Sequence, residues 1–191
     1  MEKGQYGYIK RHKKKIIISI IILGVMILTG VILSLVMFKT TKTLIIILPI
    51  LISLPFAKQI VALIMCSKFK PLTEKDHQKI EKGIHYENRD GILYDISLSR
   101  YEGMMFFPAV IVRDGRMLFL YQEAFDKKIP DVEFLKKEIA RSFEMIKKPY
   151  VIITSLTVDE FIKKAETIKE PDEDYVVKDQ SMREKIFELG V

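Results

Sequence analysis

The chain has 191 residues, with 31 Lys/Arg against 25 Asp/Glu and a formal net charge of +6. That length allows one soluble domain and little more. Nine Lys/Arg and one acid fall in residues 1–66, against 22 Lys/Arg and 24 acids in residues 67–191. All the basic excess therefore lies beside long apolar runs, so no nucleic-acid partner is expected, and two bilayer-length stretches disfavour a soluble secreted protein.

Ile16–Phe38 is 23 residues without a charge, about 34 Å as a helix against a hydrocarbon core of roughly 30 Å. Its polar members Ser19, Thr29 and Ser34 can bond back to their own helix. Gly24 and Gly30 are six apart and so do not make the four-residue small-xxx-small motif. Lys10, Arg11, Lys13, Lys14 and Lys15 precede the run as the basic region of a signal peptide would. The run is too long for one, however, and no small-x-small cleavage pattern follows, so an uncleaved anchor is expected.

A second run, Leu44–Cys66, contains Pro49, Pro55, Lys58 and Gln59. The prolines are expected to kink the helix. Lys58, two turns from the far end, can snorkel to the interface. Its alternative role is to pair with an intramembrane acid of a partner, since this chain offers none of its own. Only Lys39–Thr43 separates the runs, which implies an antiparallel hairpin. Basic residues before the first run, with Lys68 and Lys70 after the second, place both termini in the cytoplasm of a two-span cell-membrane protein. The expected organisation is a basic tail (1–15), a hairpin (16–38 and 44–66), a linker (67–72) and a cytosolic domain (73–191). Tyr6 and Tyr8 are expected at the headgroup level or in a disordered tail. Cys66 is the sole cysteine, so no intramolecular disulfide forms. It reads as apolar filler, with acylation or an intermolecular bridge as alternatives.

In the domain, Thr73 with Asp76 caps an exposed helix running to about Gly83. Ile92–Ser99 alternates, which puts Ile92, Tyr94, Ile96 and Leu98 on one face of a strand. Met104–Val112 is apolar on both faces. Pro108 within it predicts a bulge or an edge. Asp114-Gly115 is a hairpin turn leading to a third strand, Met117–Gln122. Val132, Leu135, Ile139, Phe143 and Ile146 stripe a helix over Asp131–Lys147. Tyr150–Leu156 reads as a fourth strand, and Thr157 with Glu160 as the capping box of a further helix. Lys169–Asp179 reads as an acidic, solvated loop before a short helix over Ser181–Leu189. The fold class is thus a membrane helical hairpin plus an α+β domain, α-β-β-β-α-β-α, with a mixed four-stranded sheet.

The element order of residues 73–156 resembles the core of the restriction-endonuclease-like fold. That resemblance implies an acid entering the second strand, where Glu102 stands, and an acid-x-Lys on the third strand to hold Mg²⁺. The third strand here has no acid-x-Lys. Asp95 and Glu123 are the other candidate acids of an unfamiliar site. No metal set and no cofactor are expected: His12, His77 and His85 lack neighbouring ligands, and no phosphate-binding loop is present. Met104, Met105, Phe106 and Phe107 are core if their strand is central, and dock a partner or touch the bilayer if Pro108 marks an edge. Lys10, Arg11, Lys13, Lys14 and Lys15 can attract anionic membrane lipid, at about 1 kcal/mol per charge near the surface.

The architecture as a whole resembles small bacterial membrane proteins that join a two-helix hairpin to a cytosolic domain. The expectation is a tethered interaction or regulatory domain rather than an enzyme, with a protein partner or a homo-oligomer. The alternatives are a membrane-anchored enzyme of degenerate nuclease-like fold and an accessory subunit of a transporter.

Overall fold

The computed structural model describes residues 3–38, 47–85, 91–100, 103–121, 131–143, 150–171 and 173–189. The chain divides into two compact units, one made of Met1–Tyr8 with Lys70–Val191 and the other of Ile9–Phe69.

The second unit is built on α1 (Tyr8–Phe38) and α2 (Ile47–Ser67). Both are long and apolar enough to cross a membrane. Thr29 Oγ1 donates to the Val25 carbonyl at 2.8 Å, so the hydroxyl is satisfied within its own helix. Pro49 lies in the first described turn of α2, where its missing N–H costs no helical bond. Pro55 lies inside α2 and removes a donor.

The first unit is an α+β fold. Its helices are α3 (Glu74–Gly83), α4 (Val132–Ser142), α5 (Val158–Glu166) and α6 (Glu173–Leu189). Its strands are β1 (Ile92–Arg100), β2 (Gly103–Arg113), β3 (Arg116–Leu120) and β4 (Val151–Ser155). The sheet order is β1-β2-β3-β4. The first three strands form an antiparallel meander, and β4 joins β3 in parallel. Among the described residues there are thus six helices and a mixed four-stranded sheet.

Each face of the sheet carries its own core. On one face Leu135, Ile139 and Phe143 of the α4 region and Met182 and Ile186 of α6 pack against Phe107, Val110, Val112 and Phe119. On the other, Ile80 of α3 and Phe161 and Ala165 of α5 pack against Ala109, Ile111, Leu118 and Leu120. A sheet covered on both sides must be apolar on both faces, which accounts for the unbroken apolar run of β2.

Three expectations are corrected. Ile92, Tyr94, Ile96 and Leu98 do not share a face. Ile92 and Tyr94 belong with α3 and α5, whereas Ile96 and Leu98 belong with α4 and α6. The break falls at Asp95, whose φ of 55° is left-handed and turns the following residues over. The register places Pro108 opposite it, between Tyr94↔Ala109 and Ile96↔Phe107. β2 switches there too, since Met105 and Phe107 share their core with Val110 and Val112. Secondly, Pro108 is neither inside a stretch paired on both sides nor on an edge strand: β2 lies between β1 and β3, but its β3 ladder begins only at Ala109, one residue after Pro108. Thirdly, much of the expected acidic loop is helix: α6 starts at Glu173, so Glu173 and Asp174 occupy its first turn, where carboxylates favour the helix dipole. The ends of the α4 stripe beyond Phe143, Ile146 included, lie outside the described residues.

The Asp114-Gly115 turn has φ values of 51° and 66°, the left-handed pair a tight hairpin demands.

Candidate functional site

Three arrangements bring functional side chains together, and each lies within one unit.

The first is the helical pair. A Cβ on Gly30 would sit 2.8 Å from Pro49 Cγ, and one on Gly24 would sit 3.6 Å from Phe56 Cε2. Pro49 and Phe56 are seven residues apart and so share the side of α2 that meets α1. Lys58 is two residues beyond Phe56, about 200° around the helix, and faces away from α1. It is exposed, and on its side stand the exposed apolar residues Leu51, Leu54, Val61 and Met65. On α1, Lys10, Arg11, Lys14 and Lys15 are exposed. Lys13 turns the other way and its Nζ donates to the Phe69 carbonyl at 3.1 Å, where a cation suits the C-terminal end of α2. Cys66 is a free cysteine and is buried.

The second is the edge of the sheet at β1. Gly4 forms an antiparallel bridge with Tyr94, whose N–H donates to the Gly4 carbonyl at 2.8 Å. Gly4 has φ of 87°, and a Cβ there would lie 2.5 Å from the Phe187 ring. Only glycine fits that backbone in that space. Two residues on, Tyr6 stacks on His77 with ring centroids 3.8 Å apart, and Tyr94 approaches both rings. Tyr6 Oη donates to the Leu72 carbonyl at 3.3 Å, and Tyr94 Oη donates to Glu81 at 2.9 Å. Burial, then the charge of Glu74, pushes the Tyr6 phenol above its ordinary range. Tyr6 is therefore neither a headgroup anchor nor part of a loose tail: the segment before α1 covers an otherwise open strand edge.

The third is a buried carboxylate. Asp179 of α6 is 1% exposed. It accepts from the Asp114 and Gly115 backbone N–H groups at 2.7 and 3.4 Å, and from Tyr150 Oη at 3.2 Å. Burial, with Asp179 alongside, drives the Tyr150 phenol well above its ordinary value. Tyr175 packs its ring against Gly115. α6 thus grips the β2–β3 turn. No local signal marks Asp179 in the sequence, because its partners lie 29 to 65 positions away.

Of the three candidate acids only Asp95 lies among the described residues. Asp95 is 4% exposed in β1, beside a cavity of about 10 Å³ lined by Lys3, Tyr8, Ser97 and Phe187, too small for a substrate. Glu102 and Glu123 lie outside the described residues. Met105, Phe106 and Phe107 are buried and Met104 is half-buried, so the quartet is core and exposes no docking patch. A pocket of about 250 Å³ lies beside His85, Arg113, Glu166 and Glu170. The Arg113 guanidinium there is committed to the Lys169 carbonyl at 3.2 Å and lies 3.9 Å from Glu170. Among the described residues no three His, Cys, Asp or Glu side chains gather as a metal would require. Compared with protein-family models, curated proteins and solved structures, the chain shows no significant match.

Proposed function

We propose that the chain is a two-span membrane protein whose α1 and α2 form a hairpin across the bilayer. It tethers the α+β unit to the cytoplasmic face, where that unit acts as an interaction or regulatory domain for a protein partner. The observation that carries this reading is the exposure of the apolar helices. Only 6% of the apolar window of either helix is buried, whereas a soluble core helix is buried all round. A hydrocarbon environment is the covering that so wide an apolar surface requires.

Two further observations support it. A cleaved signal sequence would account for α1 alone and leave α2 uncovered, and residues before α1 take part in the packing of the domain. Residues before α1 and after α2 also share one compact unit, as they would if both lay on one side of a membrane. The charge pattern makes that side the cytoplasm, with Lys10, Arg11, Lys13, Lys14, Lys15, Lys68 and Lys70 on it against Lys39 and Lys42 in the link.

The partner reading is supported by apolar side chains left in the open around the β2–β3 turn. Val151, Tyr175, Val176 and Val177 are 58%, 38%, 49% and 74% exposed, and Val151 and Tyr175 both touch Gly115.

The test is extraction and topology mapping of the full chain in a Cys66→Ser background. The chain is expected to stay in membranes washed at alkaline pH. Ser181→Cys should react with an impermeant maleimide only once the cytoplasmic side is opened, and Thr41→Cys from the outside. Release by the wash, or labelling of both positions from one side, rejects the hairpin. For the alternative enzyme reading, divalent-metal-dependent activity lost in Glu102→Ala would be the supporting result.

A further inference from the structure

Lys58 stands inside α2, nine residues before Ser67. The nearer end is about 14 Å away along the axis, so a side chain that snorkels toward it still runs over two turns of apolar helix. The side chain faces away from α1 in the stripe of Leu51, Leu54, Val61 and Met65, each at least 43% exposed. An ammonium held among such residues at mid-depth is costly unless a carboxylate meets it. Residues 9–69 hold nine Lys/Arg and no Asp or Glu, so neither this hairpin nor the hairpin of a second copy supplies one.

We infer that the Lys58 face of α2 docks a transmembrane helix of another protein that carries an Asp or Glu at mid-membrane depth. This inference rests on the two-span reading and deepens it. The apolar stripe supplies the packing surface, and Lys58 supplies depth and rotation, because only one register brings carboxylate to ammonium. Two copies of the hairpin meeting through this face would bring two ammonium groups together, so the charge excludes self-association there.

The test uses the full chain in its native membranes, with Leu54 replaced by a photo-crosslinking phenylalanine analogue. The expected product is an adduct with one membrane protein, mapped to a span containing an Asp or Glu. Its yield should fall roughly tenfold or more in Lys58→Leu, a change that keeps the helix apolar, and persist in Lys58→Arg. Lys58→Glu should abolish the adduct, and replacing the partner's acid with Lys should restore it. An adduct indifferent to Lys58→Leu, or adducts with lipid or a second copy alone, overturns the docking. Alkaline washing of the same membranes separates the two failures. A chain that washes off sinks the membrane reading and the docking together, whereas a chain that stays but shows no Lys58-dependent adduct sinks the docking alone.

Discussion

Asp95 and Pro108 lie opposite one another in the β1–β2 register, and both strands exchange faces at that point. Proline has no N–H to give the ladder, and the left-handed turn at Asp95 takes its partner out of regular pairing. The two irregularities coincide, so the register sums to the same value on either side and the sheet continues undivided. Asp95→Val is expected to destabilise the domain by about 2 kcal/mol or more, because a β-branched residue is strained at positive φ. Asp95→Asn should cost less, since asparagine visits that region. The tyrosine near-ultraviolet circular dichroism of the detergent-solubilised chain, which has no Trp, would follow the melting. Equal melting of the two variants would refute the backbone explanation.

Removing the grip on the hairpin turn should be more damaging. Asp179→Ala leaves the Asp114 and Gly115 N–H groups and the Tyr150 hydroxyl short of an acceptor, at a cost of about 3 kcal/mol. Tyr150→Phe removes one bond and should cost about 1 kcal/mol. Thermal melting of both variants beside the wild type decides the ranking.

Tyr150 also predicts an alkaline limb. Its folded pKa is raised, by burial first and by Asp179 second. The folded state therefore keeps a proton that the unfolded chain gives up, and stability is full below about pH 10 and declines as the pH rises beyond it. In Tyr150→Phe the decline should be shallower. Melting temperatures between pH 8 and 11 would show it, and parallel curves for the two proteins would exclude Tyr150 as the cause.

At the start of α5 the sign is opposite. Glu160 is held below the usual carboxylate range by its hydrogen bond from Lys164, at 2.6 Å, and then by the Leu156 N–H at 3.1 Å. Its contribution is present above about pH 4.3, the ordinary glutamate value, and is lost as the pH falls through the lower folded pKa. The Glu160 and Lys164 side chains are 43% and 36% exposed, so Glu160→Gln should cost less than about 1 kcal/mol at neutral pH. Below pH 4 that difference should shrink toward zero, as acid titration of the melting temperature would reveal.

The segment before α1 offers a local readout. Gly4→Ala forces a Cβ into a left-handed backbone and against Phe187. The Tyr94 amide, which donates to the Gly4 carbonyl, should then exchange with deuterium roughly tenfold faster. Unchanged exchange at Tyr94 would mean that the bridge does not protect the edge.

Most elements of the fold can be read from local patterns. Thr73, Asp131 and Thr157 each stand at a helix start and accept from a backbone N–H two or three residues on, and the Asp114-Gly115 turn needs only its own two residues. The strand faces could not be read past Asp95, because alternation assumes a backbone that stays extended. The length of α6 could not be read either: Asp174 and Asp179 resemble loop residues until the hairpin turn is brought to Asp179. The docking of Tyr6 on His77 spans 71 positions and leaves no periodic trace. Lys58 was visible as a charge in an apolar run, but its direction became readable only once Pro49 and Phe56 were seen against the glycines of α1.

The pairing of Gly4 with Tyr94 also bears on how the protein is made. The α+β unit draws on residues before and after the helical pair, with sixty-one residues (9–69) inserted between them. A ribosome delivers the first strip of that fold before either apolar helix and the sheet only after both. The strip must therefore wait until the rest of its own unit has been made. Any sequence fused ahead of it, an affinity tag included, will be carried to the rim of the finished sheet.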